Sequence, residues 1–509
     1  MHTKNLKDKP NTNESSKFKV LLIYANKMME NLISINVSIL SAALKQHGFD
    51  VKLFDTTFYR TEDESVYDIR VNNLQVRKFD LSSYGIKIND SDIHEDLIKL
   101  VEEYKPNLVG LSAVEETYLL GLSLLKSIKS NFNIPTIVGG VHTIFSPEEV
   151  LAQDDVDMIC IGEGEEALVE LCQKMQNGED YYKVKNIWFK KDGVAVKNPR
   201  RDLMPLKDLP FLDFSIYDKR RMYRPMQGKI YKMLPIESSR GCPYTCTYCS
   251  ASTLRKLYSN LGNYYRRKSV EQIIKEIQHY RKQYGLDFVY FTSESFLSMP
   301  DNEFENFVEL YSEIKLPFWL QTRPESITKE RIKKLETINC NRISVGLESG
   351  NEQLRKKMLK RNISNQQIIE SLDVFKHSKI PLSVNSMIGF PDETREQIFD
   401  TINLNRIINA DSSSLFIYTP YRGSELRQYC IEKGYVKPDL LMGSVFQNSI
   451  LKMPQITNDE IKGLFRTFSL YIKLPEEYYP DIQIAEKFDK RGNEMFEHLS
   501  KVYVDEFFK

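Results

Sequence analysis

The sequence predicts an α/β protein built in series: a doubly wound parallel sheet, a partial (β/α)6 barrel, and a small, mostly helical C-terminal region. Three observations predict it. Short apolar runs alternate with helical stretches through residues 17–179 and again through 229–425, and such alternation means parallel strands with crossover helices. A proline-punctuated stretch, 180–228, separates the two blocks. The length of 509 residues exceeds what one hydrophobic core usually supports, so two or three domains are expected.

Composition narrows the function classes. Lys+Arg and Asp+Glu both number 70, so net charge gives no case for a nucleic-acid partner. Cys160, Cys172, Cys340 and Cys430 are scattered and read as buried small hydrophobes in a reducing, cytoplasmic setting. No run approaches the roughly 18–20 apolar residues of a membrane span, so no transmembrane segment is expected. Residues 1–16 are rich in Lys, Asn and Ser without an apolar core, which predicts a disordered tail rather than a signal peptide.

In the first block, Val20–Tyr24 is a continuous apolar run, as in a strand buried on both faces. A helix is predicted over 33–47, ended by Gly48. Further strands are expected at 51–55, 108–112, 136–140 and 158–161, with helices at 94–104, 118–131, 147–152 and 165–175. Residues 60–90 are polar and irregular and read as an insertion or long loop. In such sheets ligands bind outside the carboxyl ends of the strands. Ser112, Gly139-Gly140 and Gly162-Glu163-Gly164 lie at those ends.

The connector contains a small hairpin, 186–189 with 194–196 across Asp192-Gly193, then an extended stretch punctuated by Pro205, Pro210 and Pro225. The second block carries strand-like runs at 233–236, 288–291, 318–321, 343–347, 382–388 and 413–418, with helices between them. Residues 426–509 form an aromatic-rich region with helical pieces, expected to cap the barrel.

The chemistry is concentrated in Arg240-Gly241-Cys242-Pro243-Tyr244-Thr245-Cys246-Thr247-Tyr248-Cys249, where three cysteines follow the first barrel strand in C-x3-C-x2-C spacing. Three such thiolates hold three irons of a cubane cluster and leave the fourth iron open. Zinc is the other metal reading, but structural zinc commonly takes two separated ligand pairs, and no second pair follows here.

This motif, at the start of a β/α repeat, resembles the radical S-adenosylmethionine (radical SAM) superfamily. The front block resembles the cobalamin-binding, Rossmann-like half of such enzymes, through Ser112, Gly139-Gly140-Val141-His142 and Gly162-Glu163-Gly164-Glu165. The resemblance implies a [4Fe-4S] cluster on Cys242, Cys246 and Cys249, with S-adenosylmethionine on the open iron. It implies S-adenosylmethionine contacts from Tyr248, Ser293, Glu294, Arg323, Glu348 and Gly389. In simpler terms Tyr248 packs over the cluster and Arg323 is a surface arginine. Cobalamin contacts are implied for Ser112, Gly139, Gly140, His142, Gly162, Glu163 and Gly164; alternatively His142 is an ordinary loop residue, or the sheet is a scaffold that has lost its cofactor. One departure stands out. The D-x-H-x-x-G motif that supplies a lower cobalt ligand is replaced by Tyr24-Ala25-Asn26-Lys27-Met28-Met29-Glu30-Asn31.

The resemblance implies reductive cleavage of S-adenosylmethionine and, as the leading reaction, C-methylation of an unactivated carbon. Cyclisation, ring contraction or oxidation without methyl transfer is the alternative, and a non-enzymatic iron–sulfur or corrin-binding module is a third reading. An electron donor such as flavodoxin or ferredoxin is an implied partner. The substrate class stays open among a small molecule, a lipid and a peptide.

Overall fold

In the computed structural model, residues 17–507 are described; the expected tail at 1–16 lies outside them. Two seven-stranded sheets follow one another along the chain.

The first sheet comprises β1 (Lys19–Tyr24), β2 (Asp50–Asp55), β3 (Leu108–Ser112), β4 (Thr136–Gly139), β5 (Met158–Cys160), β6 (Ile187–Lys191) and β7 (Val194–Val196). Its order is β2-β1-β3-β4-β5-β6-β7, with the first five strands parallel. Helices Ile35–Gln46 and Glu165–Asn177 pack together, and helices Ile93–Tyr104 and Tyr118–Asn131 form a second pair. The strand order reverses direction beside β1, and such a switch point opens a crevice at the carboxyl ends of the strands. Sequence alone places the 187–196 hairpin in the connector. Instead β6 pairs antiparallel with β5, so the hairpin extends the sheet.

The second sheet has the order β16-β15-β14-β13-β12-β9-β8. Its six parallel strands are β9 (Lys229–Glu237), β12 (Phe288–Thr292), β13 (Phe318–Thr322), β14 (Cys340–Glu348), β15 (Leu382–Ile388) and β16 (Ser412–Ile417). They make the expected partial barrel. At its edge β8 (Tyr223–Met226) runs antiparallel to β9, and Pro225 is tolerated there because an edge strand need not donate. A two-residue pairing of β10 (Ser239–Arg240) with β11 (Arg266–Arg267) follows the first barrel strand.

Local chemistry fixes the helix ends. Ser269 caps the helix Val270–Tyr284 by accepting from Gln272 N, and Gly285 closes it with φ 68°. Capping boxes start the helices Arg395–Ile408 (Thr394 with Gln397) and Asn458–Lys473 (Thr457 with Glu460). The latter helix is buried along nearly its whole length and packs on β16 and on helix 395–408.

The connector joins the two halves physically. Leu206, Leu212, Phe214 and Tyr217 lie in one apolar core shared by the first sheet and the barrel. Arg221, fully buried, donates to the carbonyls of Glu30 and Leu32 at 3.2 and 2.9 Å, and so holds the 24–31 loop. The 60–90 segment is also more than a loop. It contains the helix Val66–Asn72, whose Ile69 packs with Leu74 in the core formed by β16 and the C-terminal helices. Gln75 Oε1 accepts from Leu415 N at 3.3 Å, and Ser469 donates to Leu74 O at 3.2 Å. Two apolar anchors in a polar stretch give no periodicity, so this helix depends on a partner that sequence spacing does not reveal.

One buried acid organises the turn after β15. Glu393 Oε2 accepts from Gly389 N at 2.6 Å and Phe390 N at 3.1 Å, while Oε1 is buried without a partner. Burial pushes its carboxyl up from 4.5 to about 8. The folded state therefore binds the extra proton between those values. The contribution of Glu393 to stability is full below pH 4.5 and is lost as pH rises through about 8. We predict that the melting temperature of the wild type falls more steeply than that of Glu393→Gln between about pH 6 and 8, with a ceiling of about 1.4 kcal/mol per pH unit. Parallel melting curves for the two proteins would refute this.

Candidate functional site

A cavity of about 660 Å³ opens between the carboxyl ends of both sheets. On one side it is lined by Ser112, Gly139, Gly140, Gly162, Glu163 and Gly164. On the other it reaches Gly241, Cys249, Thr292, Ser293 and Glu294. Thus strand-end residues more than 100 positions apart in the chain share one space.

The sheet side is shaped by missing side chains. Gly140 has φ 104°, and a Cβ there would lie 2.3 Å from Ala113 O. No other residue fits that backbone without moving the β3 end. Helix 35–46 and the residues before it contribute Leu32, Ile35 and Leu40, an apolar wall. No histidine among the described residues lines the cavity. His142 is buried against Tyr118, with ring centroids 4.3 Å apart and both ring nitrogens unpartnered. Burial, followed by Arg422 and Arg427, lowers it to about 4, so it is neutral at ordinary pH.

Glu163 lines the cavity but is held elsewhere. Its Oε1 accepts from Arg240 Nη1 at 3.0 Å and its Oε2 from Arg266 Nη1 at 3.0 Å. Burial alone would raise its carboxyl; the guanidiniums of Arg266 and Arg240 outweigh that and hold it below the usual range. Arg240 also reaches Glu165 at 2.8 Å and Glu237 at 3.0 Å. The residue two positions before Cys242 is therefore clamped to the glycine-rich loop of the first sheet.

On the barrel side the three cysteines share one short loop. Burial pushes Cys242 up to about 11 and Cys249 up to about 12, with Glu294 adding to both. Thiols this reluctant to ionise give up their protons to a metal rather than to water. Among the described residues no three His, Cys, Asp or Glu side chains converge on a single metal-ion position. Their C-x3-C-x2-C spacing, with no second ligand pair following, suits separate irons of a cluster better than one zinc.

Polar atoms without partners face this side. The hydroxyls of Thr292 and Ser293 are buried and unpartnered, and Ser293 O accepts from Gln321 Nε2 at 2.9 Å. Glu294 is open to the cavity yet enclosed by protein, and that enclosure raises its carboxyl. Arg323 lies 3.7 Å from the centre of the Tyr244 ring, with Nη1 3.4 Å from Cys246 Sγ and Nη2 2.6 Å from Glu325 Oε1. Glu348 Oε1 accepts from Arg361 at 2.9 Å; burial raises its carboxyl against that charge. Its backbone is left-handed, φ 68°, where the β14–β15 register shifts. A strained non-glycine residue at a strand end is common at functional sites. Tyr248 packs edge-on to Phe390, next to Gly389. Tyr248, Arg323, Glu348 and Gly389 do not line the cavity itself.

Sequence reasoning gave Arg240 no role of its own and missed Tyr290, Trp319 and Gln321, which face inward with Thr292. The signal was available. Val289, Phe291, Phe318 and Leu320 face the helices, so strict alternation turns the intervening residues inward.

Comparison with known proteins bears on this geometry. A family described as the radical SAM superfamily matches residues 236–404, and one described as the B12 binding domain matches residues 22–172. The chain is 24% identical over 405 residues to an uncharacterised methyltransferase of Pyrococcus horikoshii, covering 78% of this chain and 84% of that one. It is 21% identical over 469 residues to a cytidylyl-2-hydroxyethylphosphonate methyltransferase of Streptomyces wedmorensis, covering 84% and 83%. Among solved structures it shares its fold with the radical S-adenosylmethionine methyltransferase TsrM of Kitasatospora setae, solved with cobalamin and a [4Fe-4S] cluster. The TM-score is 0.64 at 15% identity, covering 96% of this chain and 100% of that chain. No helix among the described residues is long and apolar enough to cross a membrane. The cofactors of two such domains in series are a [4Fe-4S] cluster, S-adenosylmethionine and cobalamin. With both domains matched, and their strand ends opening on one cavity, the chain belongs to the cobalamin-binding-domain radical SAM family and is a radical SAM enzyme.

Proposed function

We propose that this enzyme C-methylates an unactivated carbon of its substrate. The observation that carries the proposal is the single cavity joining the glycine-lined end of the first sheet to Cys249 and Glu294. A reaction needing both cofactors at one carbon requires such a shared space, and similarity to two methyltransferases supports methyl transfer. When bound, the cluster with S-adenosylmethionine supplies hydrogen abstraction, and cobalamin supplies the methyl group.

The residues present fit these groups. Cys242, Cys246 and Cys249 would hold the cluster. Ser293 and Glu294, with free polar atoms at the cavity edge, would take S-adenosylmethionine together with Tyr248, Arg323, Glu348 and Gly389. Ser112, Gly139, Gly140, Gly162 and Gly164 would cradle the corrin, and a Cβ at Gly140 would disturb that cradle by pushing the Ala113 backbone at the β3 end. His142 and Glu163 are left out of that contact set, because His142 is packed under Tyr118 and both Glu163 oxygens are taken by arginines. Glu163 acts instead as a tether between the corrin loop and the cysteine loop. The apolar wall of Leu32, Ile35 and Leu40 excludes water from the space where reactive carbon would lie.

Product mass tests the reaction: one methylene gained per turnover, with S-adenosylhomocysteine formed, is expected. Turnover that yields 5′-deoxyadenosine without any methyl gain would instead favour cyclisation, ring contraction or oxidation. Serine at Cys242, Cys246 or Cys249 should cut 5′-deoxyadenosine formation roughly 100-fold or more, because a missing ligand releases the cluster. Corrin content, read by absorbance, should stay unchanged. Gly140→Ala should show the reverse pattern, with corrin lost and the cluster band kept; its positive φ and close approach cost about 1–3 kcal/mol locally. A Gly140→Ala protein that retains its full corrin band would refute the cradle assignment.

A further inference from the structure

The interior of the barrel holds three guanidinium groups that, among the described residues, have no carboxylate within 4.0 Å. Tyr290, Trp319 and Arg342 lie side by side in the register of β12, β13 and β14, on the inward face. Tyr290 and Trp319 stack with centroids 4.1 Å apart and planes 11° apart, and both line the cavity. Arg342, next in the row, gives Nη1 to the hydroxyls of Ser383 and Ser412, each at 2.7 Å, and its Nε is buried without a partner. Arg224 of β8 lies 4.6 Å from the centre of the Tyr290 ring and 3.8 Å from Met233 Sδ. Arg70, from the helix 66–72, enters where the barrel is open. Its Nη2 donates to Ser414 Oγ of β16 at 3.1 Å, and its Nε is buried and unpartnered.

Among the described residues none of these three arginines forms an ion pair within 4.0 Å. Glu30 faces Arg70 and Tyr290, and Asp411 faces Arg342 but accepts from Leu382 N at 2.8 Å. Arg77 adds a further positive charge near Arg342. Burial pulls Arg70 and Arg342 below the usual arginine range. Arg240, by contrast, is held by three carboxylates. A partly buried guanidinium without a close counter-charge is costly, and its planar donors match an oxyanion.

We propose that Arg70, Arg224 and Arg342 form the anion end of the substrate site, so that the substrate carries a phosphate, phosphonate or carboxylate group. This rests on the reading of the cavity as the reaction space. The Tyr290–Trp319 stack is the wall shared by the two: the anion lies toward the arginines, and the body of the substrate runs along the stack toward Cys249 and Glu294. The set is supplied jointly. Arg70 comes from the insertion in the first block, Arg224 from the connector and Arg342 from the barrel.

Calorimetric titration of the holoenzyme, loaded with both cofactors and the cluster, tests this with phenyl phosphate, benzoate and phenol as probes. Saturable one-to-one binding of phenyl phosphate or benzoate is expected, with phenol roughly tenfold weaker or absent. Binding of one anion in preference to the other tells a phosphate-type group from a carboxylate. Arg342→Gln and Arg70→Gln should each weaken binding about tenfold, whereas Lys501→Gln on an exposed helix should leave it unchanged. Should either variant lose its corrin or cluster band, the wild type alone still decides, because anion binding must weaken with added salt. No saturable binding of either anion, equal binding of phenol, or salt-independent binding would overturn the proposal. Methylation is a separate readout: anion binding without methyl gain would leave this assignment and remove the proposed reaction, and methyl gain without anion binding would do the opposite.

Discussion

Arg240 ties the two halves of the molecule together. Its guanidinium contacts Glu237 at the end of the first barrel strand and Glu163 and Glu165 on the glycine-rich loop of the first sheet. Taking such a charge out of water costs several kcal/mol unless it is fully paired. Three carboxylates provide that pairing, and Arg266 shares Glu163. Removing one partner of a buried pair commonly costs about 3–5 kcal/mol, so this network admits little relative motion of its members. The consequence is geometric. The cysteine loop begins at the next residue, and the glycine-rich loop carries the clamp, so a corrin and a cluster seated there would keep a fixed separation.

The remaining contacts between the halves serve the same register. The connector buries Phe214 and Tyr217 in a core common to both sheets, and Asp213 accepts from Ser41 at 2.6 Å. At the far side Arg422 and Arg427 reach Glu115, and Arg422 also reaches Glu149. His142 lies buried beside these arginines and against Tyr118, and so does not line the cavity. Among the buried polar groups without partners are four that sit where ligands are expected: the Thr292 and Ser293 hydroxyls near the cysteine loop, and the Arg70 and Arg342 Nε atoms inside the barrel.

Much of this was legible in the sequence. Strand β3, strand β15 and helix 118–131 fall at the expected residues, because continuous apolar runs and periodic apolar stretches specify them locally. The helix 66–72 was not legible, since Ile69 and Leu74 become apolar anchors only against residues some 300 to 400 positions later. The hairpin at 187–196 was legible as a hairpin but not as a sheet edge, because its partner β5 is a strand of three residues. Of the candidate site residues, the cysteine loop was legible from its spacing, and the glycines from their place at expected strand ends and the family resemblance. Arg240 was not, since a lone arginine carries no spacing signal; strand alternation gives Tyr290 and Trp319 their inward direction but not their place on the cavity.

The sequence by itself determined the order of the two α/β blocks and the three-cysteine loop, because those depend on local periodicity and on thiol spacing. Tertiary structure alone decided which strand ends face one another and where charge is left unpaired. It brought Gly140 and Cys249 onto one cavity, paired the Glu163 that lines it with two arginines, and turned Arg70, Arg224 and Arg342 into one barrel. Those outcomes depend on burial and on ion pairing between residues distant in sequence, and neither is encoded in any short stretch of the chain.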